Sequence, residues 1–161
     1  MTIIEVLGTP APKGSSRPML NRKTGKAFTF KGGSPVSAEK LTTWDNNVRA
    51  AAASETGGVM FVDVALTVEI EFRLRRTAGH WGKGKRAGQL LPSAPAAPRG
   101  KPDIDKLARS TLDSLTGIVF DDDSRIVDLK VSKVYATPGQ EGAQITIAAT
   151  ATEAAERSPA Q

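Results

Sequence analysis

The sequence predicts an α+β fold, a mixed sheet of about four strands carrying two main helices. Residues 61–75, FVDVALTVEIEFRLR, alternate apolar and polar almost without a break, the period of a half-buried strand. Residues 38–54 and the stretch after Pro102 instead repeat apolar residues at helical spacing. Short β-branched runs stand near both ends of the chain.

Each element follows in order. Residues 2–7, TIIEVL, read as a strand. Residues 8–36 are rich in Gly, Pro, Ser and Lys without a steady period. They read as a long loop with a small hairpin around Lys23-Thr24-Gly25-Lys26. Ser37 has N-cap chemistry, and Leu41, Trp44, Val48 and Ala51 follow on one helical face up to Gly57-Gly58. In 61–75, Val62, Val64, Leu66, Val68, Ile70, Phe72 and Leu74 share one face, so this strand is expected to be central. Residues 77–101 combine Gly, Pro, Ala and basic residues, a loop long enough to be functional or disordered. After Pro102, Ile104, Leu107, Ala108, Thr111, Leu112 and Leu115 define a second helix, closed by Gly117. Residues 125–135 and 144–150 read as two further strands joined by a turn at Pro138-Gly139. The expectation is a single domain over 1–152 and a disordered tail over 153–161.

Composition narrows the functional classes. The chain has 161 residues, 39% of them hydrophobic, enough for one modest core. Lys and Arg outnumber Asp and Glu by 22 to 17, a net charge of +5 that suits a polyanionic partner. Cysteine is absent, which excludes disulfides and thiolate metal sites. No apolar run is long enough for a transmembrane helix, and the N-terminus lacks the pattern of a secretory signal.

Against this basic background, residues 100–131 gather Asp103, Asp105, Asp113, Asp121, Asp122, Asp123 and Asp128. In one reading Asp103 and Asp105 cap a helix, the Asp121–Asp123 run is a solvated turn, and Asp113 pairs with Arg109. In the other, Ile118-Val119-Phe120 run back along the helix and bring Asp123 to its start. Asp103, Asp105 and Asp123 would then form an all-oxygen site suited to Mg²⁺ or Mn²⁺. Asp105 and Arg109 fall at the edge of the helix's apolar stripe, where a site is held rigidly yet reached from solvent.

The stretch PDIDKLARSTLDSLTGIVFDDDSRIVDLKVSK resembles the central motif of RusA-family Holliday junction resolvases, PDxDNLxKxxLDALxG followed by an apolar run and DDSQIxxxxxxK. The match is dense from Pro102 to Lys133, and the order of flanking elements agrees. The resemblance implies a homodimeric, Mg²⁺-dependent endodeoxyribonuclease on an α+β fold that resolves four-way DNA junctions by paired phosphodiester hydrolysis. It implies a cytoplasmic, bacterial or phage-encoded protein. It assigns the catalytic and metal-binding acids to Asp103, Asp105 and Asp123, gives Asp122 a supporting role at most, and gives Asp121 none. Two positions depart from the pattern: Lys106 replaces the family's Asn, and Arg109 replaces its essential Lys. Arg keeps the charge there but not the ability to donate a proton. The rival functions are a nuclease acting on forks or flaps and a non-catalytic DNA-binding module whose acids only cap.

Arg73, Arg75, Arg76, Lys83, Lys85, Arg86, Arg99 and Lys101 crowd the segment before the motif and, with Lys106, are the expected DNA contacts. Without a neighbouring phosphodiesterase site they would read as a solvated loop. Lys13, Arg17, Arg22, Lys23, Lys26 and Lys31 form a second basic loop. Trp81 and Phe28 can stack on unpaired bases or anchor their loops by packing. His80 is the only histidine, so no histidine pair can bind metal.

Overall fold

A computed structural model of the chain describes residues 1–14, 16–31 and 34–151. The expected tail at 153–161 lies outside the described residues, as do the side chains of Arg17 and Lys31. Six strands and two α-helices form in the order β1 (Thr2–Leu7), β2 (Ser16–Leu20), β3 (Ala27–Lys31), α1 (Pro35–Thr56), β4 (Leu66–Leu74), α2 (Ile104–Leu115), β5 (Ile126–Tyr135) and β6 (Gly142–Ala149). Four strands make a mixed sheet in the order β1-β6-β4-β5, and β2 and β3 form a separate antiparallel hairpin. The fold is α+β as the sequence predicts.

β4 lies inside the sheet, antiparallel to β6 and parallel to β5. Its alternation is the reason. Leu66, Val68, Ile70, Phe72 and Leu74 are all buried, whereas Glu69 and Glu71 are exposed on the outer face. Ile4 and Val6 of β1 and Ala143, Ile145 and Ile147 of β6 join the same buried layer. Both helices contribute to it, α1 through Trp44, Val48 and Ala52 and α2 through Leu107 and Leu115. Each large side chain buried there contributes about 1.5–3 kcal/mol relative to exposure. Trp44 joins the helices: its ring lies 6.4 Å from Phe72, and its indole N–H donates to Thr111 Oγ1 at 3.1 Å. Gly142 is required where β1 and β6 meet, because a Cβ there would lie 1.8 Å from the Val6 carbonyl oxygen.

The structure corrects several boundaries. Helix α1 starts at Pro35 rather than 38, and Ser34, not Ser37, is the N-cap; its Oγ accepts from the Ser37 N–H at 3.2 Å. Pro35 at the first helical position needs no amide partner, which favours the earlier start. The alternating strand begins at Leu66 rather than 61, because Asp63 adopts φ 52°, a left-handed conformation that no strand accommodates. Residues 77–101 are not featureless. They hold 3₁₀ turns at Ala78–His80 and Gly84–Arg86 and a bridge between Trp81 and Leu90. Finally, Ile118-Val119-Phe120 do not run back along α2. They fold into a tight turn at its C-terminal end, where the Ile118 and Val119 amides donate to Leu115 O and the Gly117 amide to Phe120 O.

Candidate functional site

β1, β4 and β5 run parallel to one another, so their C-terminal ends share one end of the sheet. The segment leaving β1, the loop leaving β4 and the β5–β6 turn all emerge there. So does the start of α2. Lys133, near the end of β5, donates through Nζ to Gly100 O at 2.8 Å and to Pro102 O at 2.9 Å, holding the residues that lead into α2. The segment after β1 crosses the same region: the Lys13 amide donates to Lys106 O at 3.2 Å, and Ser110 Oγ donates to Ala11 O at 2.7 Å.

Asp103 is the N-cap residue of α2 by its backbone, yet its carboxylate makes no capping hydrogen bond. It turns instead to Lys106, whose Nζ lies 3.0 Å from Oδ2. The Lys106 hydrogen bond and charge, helped by Lys101 and Lys133, hold the Asp103 carboxyl below the ordinary carboxylate range. Asp105 follows in the first turn and is exposed. Arg109 lies one turn further on, also exposed. The simple Arg109–Asp113 surface pair does not form, because Asp113 is taken by Lys13 from the crossing segment. Thus Asp103, Asp105, Lys106 and Arg109 present two acids and two cations on the first turns of one helix.

Asp123 is elsewhere. It opens a 3₁₀ turn, Asp123–Arg125, directly before β5. The strand from Ile126 to Lys133 covers roughly 23 Å at about 3.3 Å per residue, and it is Lys133, not Asp123, that reaches the helix start. Asp123 therefore sits at the opposite end of the sheet from Asp103 and Asp105. Among the described residues no three His, Asp or Glu side chains group closely enough to hold a metal ion. The expected return path fails for a topological reason: the turn at 116–120 closes too tightly, and the return is left to β5.

The acids around Asp123 divide by role. Asp121 pairs with Arg125 at 3.1 Å, which lowers its pKa, and Arg125 also reaches Asp63 at 3.1 Å. Asp122 accepts from the Ser124 amide at 2.8 Å, which lowers its pKa in turn. Asp123 is exposed and forms no ion pair with a described residue.

The basic residues divide too. Arg73 lies on the outer sheet face, bound to Glu5, and is not grouped with the others. Arg75 and Arg76, just past β4, line a cleft of about 360 Å³ together with Trp81, Ala136, Pro138, Gly139 and Glu141. Lys83, Lys85, Arg86, Arg99 and Lys101 are exposed along the loop that continues from it to Asp103. Arg22, Lys23 and Lys26 are exposed at the tip of the β2–β3 hairpin, and Phe28 is 46% exposed beside them. His80 packs its ring edge-on against Tyr135 at 5.4 Å and carries no metal-ligating partner among the described residues. Lys133 is the residue that sequence reasoning undervalues. The closing Lys of the motif is its only signal, and its role becomes visible only when β5 is laid beside α2.

The family model described as Endodeoxyribonuclease RusA matches residues 10–148, nearly the whole chain. The chain is also similar to the Bacillus subtilis (strain 168) protein described as uncharacterized protein YqaN, at 47% identity over 38 residues. That similarity covers 24% of this chain and 27% of the length of that protein. No helix of the described residues is long and apolar enough to cross a membrane.

Proposed function

The chain belongs to the RusA family of endodeoxyribonucleases, and from that premise we propose that it cuts branched DNA, four-way junctions foremost, by paired hydrolysis of two phosphodiesters. One observation carries the reading. The acids and cations at the start of α2 share one end of the sheet with the basic loop after β4. That end combines a site able to act on a phosphodiester with a surface able to hold its backbone.

Asp103 and Asp105 fit a divalent cation. They are exposed carboxylates, hard-oxygen donors, and Mg²⁺ is commonly held by one or two carboxylates plus substrate phosphate. Mn²⁺ fits the same donors. A divalent ion held there would supply activation of a water and neutralisation of charge on the phosphate. Arg109, one turn after Asp105, supplies a fixed cation beside the scissile phosphate. Lys106 keeps Asp103 ionised and oriented. Lys133 fixes the backbone from which Asp103 projects.

Asp123 joins the site from a second copy of the chain. It is exposed, it is not taken by Arg125 as Asp121 is, and it lies about one strand length from the other two acids. β5 is an edge strand, and Val127 and Leu129 on it are 66% and 42% exposed. Two copies related by a two-fold axis through this edge set the start of one β5 against the end of the other. Asp123 of each copy then meets Asp103 and Asp105 of the other. The same symmetry gives two sites, as paired cuts on opposite strands require. A DNA substrate makes the bacterial cytoplasm the working compartment.

The test is cleavage of a labelled four-way junction, compared with a fork, a flap and a duplex under one salt condition, with and without Mg²⁺. Symmetrically paired cuts in the junction that need Mg²⁺ are expected. Binding without cutting in any metal would reduce the protein to a DNA-binding module.

A further inference from the structure

We propose that the cleft between the loop after β4 and the β5–β6 turn receives a single unpaired nucleotide of the DNA strand, its base stacked on Trp81 and its phosphate held by Arg75. This deepens the branched-DNA reading and rests on it. The cleft has a volume of about 360 Å³ and opens beside a wider hollow of about 580 Å³ that shares Arg75, Arg76 and Trp81. These volumes lie in the range of small-ligand sites. The lining chemistry selects the ligand. A half-exposed indole offers a flat π-face, and two guanidinium groups bring positive charge. Glu141 in the wall can accept hydrogen bonds from exocyclic base amines. An aromatic face beside Arg suits a base with its phosphate better than an apolar metabolite.

The walls stand without any ligand. The Arg76 guanidinium lies 3.9 Å over the Tyr135 ring, and its Nη1 donates to Pro95 O at 2.8 Å. His80 closes on the same ring edge-on at 81°. Tyr135 thus pins the loop to the last residue of β5. The backbone around Trp81 is fixed in turn. The Gly82 amide donates to Gln89 O at 2.8 Å, and a Cβ at Gly82 would lie 2.3 Å from Arg86 O, so the loop is packed at backbone contact. The backbone that carries the Trp81 indole at the cleft is thus already in place before any DNA arrives.

Location gives the cleft its purpose. It shares its end of the sheet with Asp103, and the loop that forms its wall runs on to Asp103. Bases at a branch point have no stacking neighbour on one side and leave the duplex at the least cost. A pocket for one such base therefore favours branched over continuous DNA without reading its sequence.

The experiment uses the intact protein without Mg²⁺, so that nothing is cut. Four-way junctions carry 2-aminopurine either at the crossover or within an arm, and a duplex of equal length serves as control. Wild-type protein is expected to quench the crossover probe and leave the arm probe unchanged. Trp81→Ala should weaken junction binding by about 5- to 150-fold, the range measured for one stacked base, and leave duplex binding within about two-fold. Trp81→Phe should retain most of the affinity. Arg75→Ala should weaken junction binding more than duplex binding. The cleft proposal is overturned by unquenched crossover probe in the wild type, a readout that needs no variant to fold. It is also overturned if folded Trp81→Ala loses junction and duplex affinity equally or loses neither. Should either result occur while wild-type protein still cuts junctions with Mg²⁺, the nuclease reading stands and the cleft alone fails. Junctions neither cut nor preferred over duplex would end both.

Discussion

At the scale of single residues, the proposed mechanism is most sharply tested at Arg109. A guanidinium is not deprotonated in proteins, so a side chain of this type does not donate a proton to a leaving oxygen; it stabilises charge. Since Asp113 is occupied by Lys13, Arg109 is not held in a surface pair on its own helix. Arg109→Ala is expected to lose about two or more orders of magnitude in single-turnover cleavage, the scale of one preorganised electrostatic interaction. Arg109→Lys should retain much of the activity, because a fixed cation is all that is required. Single-turnover rates at saturating Mg²⁺ and DNA separate the outcomes; normal cutting by Arg109→Ala would remove it from the site. Lys133 makes a second claim of this kind. Its Nζ holds Gly100 O and Pro102 O, so Lys133→Met should release the residues before Asp103 while leaving the β5 backbone in place. A misplacement of about 1 Å costs on the order of 100-fold in rate, so kcat should fall by that scale with junction affinity nearly unchanged. Equal losses in cutting and binding would instead mark Lys133 as a DNA-binding residue.

At the scale of elements, legibility in the sequence tracks how local the determining physics is. Strand β4 and helix α2 are readable because their periods of 2 and 3.6 are set by which face meets the core. The start of β4 is not, since the alternation continues through Val62 and Val64 and only the left-handed turn at Asp63 ends it. The start of α1 is ambiguous in the sequence because Ser34 and Ser37 both have cap chemistry, and Pro35 decides between them. The acids of the motif are visible as residues, but their separation is not. It depends on β5 lying parallel to β4, a non-local pairing that no spacing encodes. The loop of 77–101 is recognisably basic, while its order comes from Tyr135 beyond the motif. Its exposed cations carry a prediction of their own. Replacing Lys83, Lys85 and Arg86 by Ala should reduce the slope of log affinity against log salt by up to about three, near one for each phosphate left without its cation. Titration of a junction across a salt series measures it, and an unchanged slope would turn this loop away from the DNA.

At the scale of the whole molecule, the acids of the proposed site lie at opposite ends of one sheet, Asp103 with Asp105 at one and Asp123 at the other. The unpaired edge of β5 lies between them, exposing Val127 and Leu129. Unpaired edges of this length invite pairing with a second chain. Antiparallel pairing would align each set of acids with its complement, and under the proposed function dimerisation would then be a condition of catalysis and deliver two sites together. The most direct measurement mixes two inactive variants, Asp105→Asn and Asp123→Asn, after subunit exchange and follows junction cleavage with Mg²⁺. In the mixed dimer the unaltered Asp105 of one subunit and the unaltered Asp123 of the other complete one site. A shared site predicts that each variant alone is inactive and that the mixture regains cutting at one strand per junction. No recovery from a mixture shown to contain mixed dimers would contradict it, because a site built within one chain leaves both subunits dead.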